Sequence, residues 1–115
     1  MPHCIINYTR DVEQDVDIKN LLDVAFEAVD SAGLFDRAAI KARAIGYDIY
    51  RSGQSRNDYI HIDLKILSGR TMEQKKALSD HMISALSPHV GRTKSLTVDV
   101  IDMDIGAYGK LIASD

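Results

Sequence analysis

The segment IHIDLKILSGRTMEQKKAL, residues 60–78, decides the fold because it joins a strand pattern directly to a helix pattern. In its first half, apolar and polar residues alternate with a period of two, which is typical of a strand with one buried face. The apolar set is Ile60, Ile62, Leu64 and Ile66. We therefore predict a strand here, with His61, Asp63 and Lys65 on its other face.

A helix is predicted directly after the corner Ser-Gly-Arg at residues 68–70. Thr71 and Gln74 have the spacing of a capping box, in which each side chain accepts a backbone N–H from the other residue. Pro88 predicts the end of this helix within a residue or two. LTVDVIDMD, residues 96–104, then predicts the last strand. The apolar stripe of the helix consists of Leu78, Met82 and Leu86.

The same order of strand, helix and strand is predicted before this segment. Residues 2–9 alternate weakly and predict a strand. An amphipathic helix is predicted from Asp17, its N-cap, to Leu34, with Gly33 as the stop signal. A further strand is predicted from about Ala39 to Tyr50, and RSGQSRND, residues 51–58, has the composition of a hairpin or exposed loop.

These elements predict an α+β fold in one domain, residues 1–115. Its two β-α-β repeats, about 2–55 and 56–115, would form a four-stranded sheet with two helices on one face. The other face needs a partner, because apolar residues of the opposite parity occur at Ile45, Leu67 and Ile101. We expect a homo-oligomer with closed symmetry, whose order does not follow from the pattern.

Composition narrows the class of partner. The chain of 115 residues carries a formal charge of −3 without a long block of either sign, which disfavours nucleic-acid and membrane-surface partners. The expected partner is a small molecule or another protein. A single cysteine, Cys4, cannot form an internal disulfide, and no run of about 18 apolar residues or signal-peptide pattern occurs. We expect a cytoplasmic protein without a membrane segment.

Pro2 is the first candidate for chemistry. Methionine is usually removed before a small residue, and the mature chain would then begin with a prolyl secondary amine. Burial or a nearby cation would lower the pKa of that amine towards neutral pH, where a general base works best. Alternatively, Pro2 is an inert residue at the end of an edge strand.

Arg70 is the second candidate, because it lies at the junction between the strongest strand and a capped helix. A side chain at such a corner reaches over the sheet edge, and the start of the helix adds partial positive charge. A guanidinium held there would bind a carboxylate through two parallel hydrogen bonds. The alternative is an arginine solvated in a loop.

Other polar residues carry weaker signals. Lys41 and Arg43 share one face of their strand. His61 lies opposite the apolar set, near the substrate or near a subunit contact. His3 is assigned a structural role beside Pro2. No spacing of His, Cys or carboxylate residues resembles a metal site, and we expect no metal.

Five motifs then occur in order along nearly the whole chain. They are the opening Met-Pro-His, Ala-Gly-Leu-Phe (32–35), Ile-Lys-Ala-Arg (40–43), Asp58-Tyr59 and Leu-Lys-Ile-x-x-Gly-Arg (64–70). In this order they resemble the 5-carboxymethyl-2-hydroxymuconate delta-isomerase family of the tautomerase superfamily. Short members of the superfamily begin with a catalytic proline, and an arginine corner follows it by ten positions. In this chain the residue ten positions before Arg70 is Ile60 and not a proline. Pro2 lies in the first repeat, and the arginine corner lies in the second.

The resemblance implies a tautomerase/MIF-like fold, assembled as a homotrimer with sites at subunit interfaces. It implies a cofactor-free isomerase that acts on a carboxylated dienol, 5-carboxymethyl-2-hydroxymuconate, in homoprotocatechuate breakdown. Pro2 would be general base and acid, and Arg70 would bind and polarise a carboxylate. The family has arginine where this chain has Lys41, and lysine offers a point charge instead of a planar fork. Lys41 or Arg43 would therefore supply the second cation.

Two other hypotheses remain open at this point. Another activity of the superfamily, such as tautomerisation of a small 2-hydroxydienoate or an enolpyruvate, would keep Pro2 as the base and change the substrate. Alternatively, the chain is a non-catalytic oligomeric interaction module in which Pro2 is inert.

Overall fold

The computed structural model describes residues 1–54 and 57–114. Across these residues, four strands and two helices follow one another in two β-α-β units. Three short 3₁₀ turns, Arg10–Gln14, Arg37–Ala39 and Ser87–His89, connect them. The longer elements are β1 (His3–Thr9), α1 (Ile18–Ser31), β2 (Lys41–Tyr47), β3 (Tyr59–Leu67), α2 (Met72–Leu86) and β4 (Ser95–Met103).

The four strands form one sheet in the order β2-β1-β3-β4. Within each unit the strands are parallel, and the two units meet through the antiparallel pair β1 and β3. His3, at the start of β1, therefore pairs with Lys65, near the end of β3. This pairing brings the beginning of the chain to the same end of the sheet as the corner that follows β3.

Both helices pack on one face of the sheet, as predicted. The even-numbered residues of β1 and β3 are buried on this face, in one hydrophobic cluster with residues of α1 and α2. The alternation seen in the sequence thus places the core correctly. The fully buried members from the strands are Cys4, Ile6, Ile60, Ile62, Leu64 and Ile66, and the helices contribute mainly Leu21, Ala25, Val29, Leu78, Met82 and Leu86.

The predicted starts of both helices are confirmed by their hydrogen bonds. The Asp17 carboxylate accepts the N–H of Asn20 at the start of α1. Thr71 and Gln74 each accept the backbone N–H of the other, which completes the capping box of α2. Gly33 follows α1 with a φ of +74°, a conformation that favours glycine. Helix α2 ends at Leu86, two residues before Pro88.

Helix α1 ends at Ser31, before the predicted Leu34, and β2 is shorter than predicted at both of its ends. The strand expected from about Ala39 to Tyr50 is shorter, because residues 37–39 form a 3₁₀ turn in which the Asp36 carboxylate accepts the N–H of Ala38. The loop prediction for residues 51–58 falls partly on Ser55 and Arg56, which lie outside the described residues.

The face of the sheet away from the helices is more polar than the sequence suggested. Ile45 is 51% exposed there, as expected. Hydrogen bonds connect polar residues at the centre of this face. The Asn7 amide donates to the His61 carbonyl oxygen at 3.1 Å, and the Tyr47 hydroxyl donates to the Asn7 side-chain oxygen at 2.9 Å. His61 also contacts the Asp63 carboxylate at 3.0 Å. A partner on this face would therefore meet a mixed polar and apolar surface.

The core makes a direct prediction for stability. Replacing Ile62, which is 0% exposed in the central strand β3, by alanine is expected to lower the free energy of unfolding by about 2–5 kcal/mol, because it removes buried methylenes and leaves a cavity. Ile49→Ala is the matched control, since Ile49 is 94% exposed and its loss is expected to cost less than about 0.5 kcal/mol. Urea unfolding followed by circular dichroism measures both, and equal losses would contradict this core.

Candidate active site

Pro2 lies where the two units meet at the end of the sheet. Its side chain is less than 2% exposed, and its carbonyl oxygen accepts the N–H of Lys41 at 3.0 Å. This hydrogen bond continues the parallel pairing of β1 with β2 by one residue. Pro2 is therefore fixed beside the first residue of β2 and, through the antiparallel pairing, beside the end of β3.

A cavity of about 570 Å³ opens at this end of the sheet. Its walls come from four parts of the chain: the first residue, the loop after α1, the corner after β3 and the C-terminal tail. The lining residues include one from each part, in the same order: Met1, Phe35, Arg70 and Lys110. A volume of this size is in the range of small-molecule sites.

Arg70 is held in this cavity by the other repeat. Gly69 before it has a φ of +123°, which turns the chain out of the strand and which residues with a side chain rarely adopt. One Arg70 nitrogen donates to the Leu34 carbonyl oxygen at 2.9 Å, and the guanidinium lies 5.3 Å from the centre of the Phe35 ring. In residues 1–54 and 57–114, no carboxylate forms an ion pair with Arg70. Its remaining N–H groups are therefore free to bind an anion.

The surroundings of this cavity change the pKa of the amino group at the beginning of the chain. The pKa of the Met1 amino group is lowered from its usual value, first by burial and then by the positive charges of Lys110, Lys41 and Arg70. A neutral amine is therefore favoured in this position. An amine that is partly buried among cations has the properties of a general base.

Lys41 and Arg43 have different environments, although both face away from the helices. Lys41 lines a second cavity of about 310 Å³, which shares Met1 and Asp36 with the first. Arg43 instead contacts His3, with its Nη1 donating to His3 Nδ1 at 3.2 Å. Lys41 is therefore the nearer of the two to the candidate site.

His3 connects this region to the C-terminal tail. Because Arg43 donates to Nδ1, the ring hydrogen lies on Nε2, which donates to the Tyr108 hydroxyl at 2.8 Å. The pKa of His3 is lowered by burial and then by Arg43 and Lys41, so the ring is neutral at pH 7. The structural role predicted for His3 thus has a physical basis.

His61 is not brought to this cavity. It pairs with Asn7, five residues along β1 from Pro2, which corresponds to about 16 Å at the rise of a strand. Its ring nitrogens contact Thr97 at 2.7 Å and Asp63 at 3.0 Å on the polar face. A substrate role for His61 stays a prediction, and within one chain it is separated from Pro2 and Arg70.

Other reactive groups do not add to the site. Burial raises the pKa of the Cys4 thiol to about 12, so it is no thiolate nucleophile. Asp36 borders the cavity, but its carboxylate caps the adjacent turn. Within the described ranges, no group of three or more His, Cys, Asp or Glu residues is arranged to hold a metal. In the same ranges, neither helix is long and apolar enough to cross a membrane.

Sequence reasoning missed part of the site. Leu34 and Phe35 fix the Arg70 side chain and Lys110 lines the cavity, although the sequence pattern predicts none of these roles. The Gly33 stop signal could have located the first pair at the end of a helix near the sheet edge. No periodicity marks Lys110, because it follows two glycines in an irregular tail.

Comparison with known proteins identifies a family for the chain. The family model for 5-carboxymethyl-2-hydroxymuconate isomerase matches residues 2–104. The 5-carboxymethyl-2-hydroxymuconate Delta-isomerase of Escherichia coli is 24% identical over 91 residues, which are 77% of this chain and 72% of that protein.

Two solved structures share the fold. The crystal structure of a 5-carboxymethyl-2-hydroxymuconate isomerase from Deinococcus radiodurans R1 superposes with a TM-score of 0.81 at 22% identity, over 96% of this chain and 88% of that one. A macrophage migration inhibitory factor-like protein from Entamoeba histolytica gives a TM-score of 0.70 at 15% identity, over 95% and 94% of the two chains. The predicted tautomerase/MIF-like fold is therefore confirmed. Since the family model covers the chain from Pro2 through the end of β4, this protein belongs to the 5-carboxymethyl-2-hydroxymuconate isomerase family.

Proposed function

We propose that this isomerase converts 5-carboxymethyl-2-hydroxymuconate to its unsaturated 2-oxo isomer, with the nitrogen of Pro2 as general base and acid. The observation that carries the proposal is the position of Arg70: it is free of carboxylate partners among the described residues and lies in a cavity at the same end of the sheet as Pro2. The name of the Escherichia coli relative supports the choice of substrate.

The proposed reaction begins after removal of Met1, which leaves a secondary amine at Pro2 and enlarges the cavity that Met1 now lines. The burial and the cations that lower the pKa of the Met1 amine would act on the Pro2 amine one residue further on. The same burial and charges would favour the neutral form of the Pro2 nitrogen, which is the form that accepts a proton.

The proton transfer balances without a cofactor. Pro2 takes the proton of the 2-hydroxyl, the oxygen becomes a carbonyl, and the electron pair moves along the conjugated system to a carbon that takes the proton back from Pro2. The product is an unsaturated ketone with the same atoms. One group serves as base and then as acid, and the nearby cations stabilise the enolate between the two steps.

The charges around the cavity suit a substrate with several carboxylates. Arg70 presents free guanidinium N–H groups in the larger cavity, and Lys41 borders the smaller one beside it. We assign Arg70 to one carboxylate and Lys41 to another, while Arg43 is engaged with His3. The position of Lys41 beside the cavity supports Lys41 over Arg43 as the second cation of this proposal.

The proposed assembly is a homotrimer in the cytoplasm, in which the polar face of each sheet meets a neighbouring subunit. Ile45 and Tyr47 are exposed on this face, beside the hydrogen-bonded side chains of Asn7, His61 and Asp63. With active sites at the subunit interfaces, His61 of one subunit would lie near the substrate bound by another. Light scattering tests the assembly, and a stable monomer would contradict it.

A panel of ultraviolet assays tests the substrate. The mature protein is expected to turn over 5-carboxymethyl-2-hydroxymuconate with a kcat/KM about 10- to 100-fold above that for 2-hydroxymuconate, because a charge-assisted hydrogen bond contributes about 1.5–3 kcal/mol. Phenylenolpyruvate, with one carboxylate, is expected to be poorer still. A preference for phenylenolpyruvate would indicate a different tautomerase activity, and no turnover of any dienol would indicate a non-catalytic module.

A further inference from the structure

The last part of the described chain forms a strap, residues 104–112, that returns to the cavity after β4. It is fixed first at the corner that carries Arg70, where the Ser68 N–H donates to the Met103 carbonyl oxygen at 2.8 Å and the Ile105 N–H donates to the Ser68 hydroxyl at 3.0 Å. A turn follows, in which the Tyr108 N–H donates to the Asp104 carbonyl oxygen at 3.0 Å. The strap therefore has a defined direction as it leaves the sheet.

A second anchor holds the strap to the beginning of β1. The Tyr108 hydroxyl accepts the Nε2 hydrogen of His3 at 2.8 Å, and the two rings meet edge to face with centres 6.2 Å apart. The His3 ring is in turn held by Arg43 at 3.2 Å. The strap is thus bonded at two points, the corner after β3 and the start of β1.

Lys110 follows this second anchor by two residues and lines the cavity together with Arg70 and Met1. Its positive charge acts on the Met1 amino group more strongly than those of Lys41 and Arg70. Within the part of the chain that the structure describes, no carboxylate forms an ion pair with Lys110. Its ammonium is therefore a free cation close to the reacting end of the chain.

The family model ends at residue 104, before Lys110. Lys110 is thus a feature of this chain that the match from Pro2 to the end of β4 does not include. A cation held by a tail of this kind can alter the preference for substrates without changing the sheet or the Arg70 corner.

We propose that Lys110 is a specificity-determining residue that binds a substrate carboxylate other than the one held by Arg70. This inference rests on the proposed function, since it concerns the same cavity. Tyr108 is a positioning residue in it: its bond to His3 restricts the strap, so less conformational freedom is lost when Lys110 binds the anion.

Lys110→Gln tests the proposal because it removes the charge and keeps a polar side chain. We expect KM for 5-carboxymethyl-2-hydroxymuconate to rise about 10-fold or more, with less than about a 2-fold change for phenylenolpyruvate, since charge-assisted hydrogen bonds are roughly twice as strong as neutral ones. The control is Lys19→Gln, at the start of α1 and about 18 Å along that helix from its cavity end. Equal changes in the two substrates, or none, would overturn the proposal.

A binding measurement separates this proposal from the proposed reaction. Calorimetric titration with tricarballylate, a non-reacting tricarboxylate, is expected to give a Kd about 10-fold higher for Lys110→Gln than for the unaltered protein. If no dienol is turned over and this difference is found, the reaction is wrong and the Lys110 site stands. If dienols are turned over and neither KM nor Kd changes, the Lys110 site is wrong. The absence of both turnover and tricarballylate binding would overturn both.

Tyr108→Phe tests the positioning role, because it removes only the hydroxyl that accepts from His3. We expect a smaller rise in KM for the tricarboxylate with kcat preserved. In the double variant with Lys110→Gln, the change at Tyr108 is expected to have no further effect, since it acts through Lys110. Additive losses in the double variant would overturn this positioning role.

Discussion

Protein that retains Met1 is expected to isomerise the dienol about 10²–10⁴-fold more slowly than protein from which Met1 has been removed, the range typical of a lost general base. With Met1 in place, the Pro2 nitrogen is part of a peptide bond and has no basic electron pair. Met1 also occupies the wall of the cavity beside Arg70. Intact mass identifies the two forms, and the initial rate measures the effect.

The control uses the same preparation. Treatment with a methionine aminopeptidase is expected to restore the rate in proportion to the mass shift, which a folding defect would not do. Pro2→Ala in the trimmed form leaves a primary amine, so we expect a smaller loss than that caused by retained Met1. Equal turnover by the trimmed and untrimmed proteins would exclude Pro2 as the base.

The pH dependence follows from the sign of the pKa change. The base is active when neutral, so kcat/KM rises with pH through the pKa of the amine in the free enzyme. Burial and the charges of Lys110, Lys41 and Arg70 lower the pKa of the Met1 amino group, and we expect them to act in the same direction on the Pro2 amine after Met1 is removed. Removing one of these charges raises the pKa, and the rising limb of the pH profile should then move to higher pH.

Local signals predicted the fold well because they coincide with the burial pattern. The alternation from Ile60 to Ile66 corresponds to side chains that are fully buried against the helices, and the Thr71–Gln74 capping box forms as its spacing suggests. Where a competing local interaction exists, prediction was weaker. The strand expected from about Ala39 begins later, because the turn capped by Asp36 occupies residues 37–39.

The site was only partly predictable because its parts meet through sheet pairing and not through sequence spacing. Pro2 and Arg70 are 68 positions apart, and the antiparallel register of β1 and β3 brings them to one end of the sheet. Parity predicted that Lys41 shares a face of its strand with Arg43 and that His61 lies opposite the apolar set of its own strand, but parity says nothing about position along a strand. The register places Lys41 beside the cavity and His61 far along β3.

Arg70→Ala is expected to lower kcat/KM for 5-carboxymethyl-2-hydroxymuconate by about 10²–10³-fold, the loss typical when one preorganised donor to a developing anion is removed. Arg70 has a fixed orientation, because it donates to the Leu34 carbonyl oxygen and lies over the Phe35 ring. This orientation presents the guanidinium fork without the entropy cost of ordering a long side chain. Phenylenolpyruvate, with fewer carboxylates to hold, should lose much less.

Two further variants separate anion binding from structural support. Arg70→Lys keeps the charge but loses the fork, so we expect an intermediate loss, with the larger share in KM. Arg92→Ala is the control, because Arg92 precedes the start of β4, about 26 Å along the strand direction from the cavity end, and is exposed beside Asp15. Urea unfolding of each variant shows whether the loss reflects the fold. Equal losses for the tricarboxylate and for phenylenolpyruvate at unchanged stability would exclude Arg70 as the carboxylate anchor.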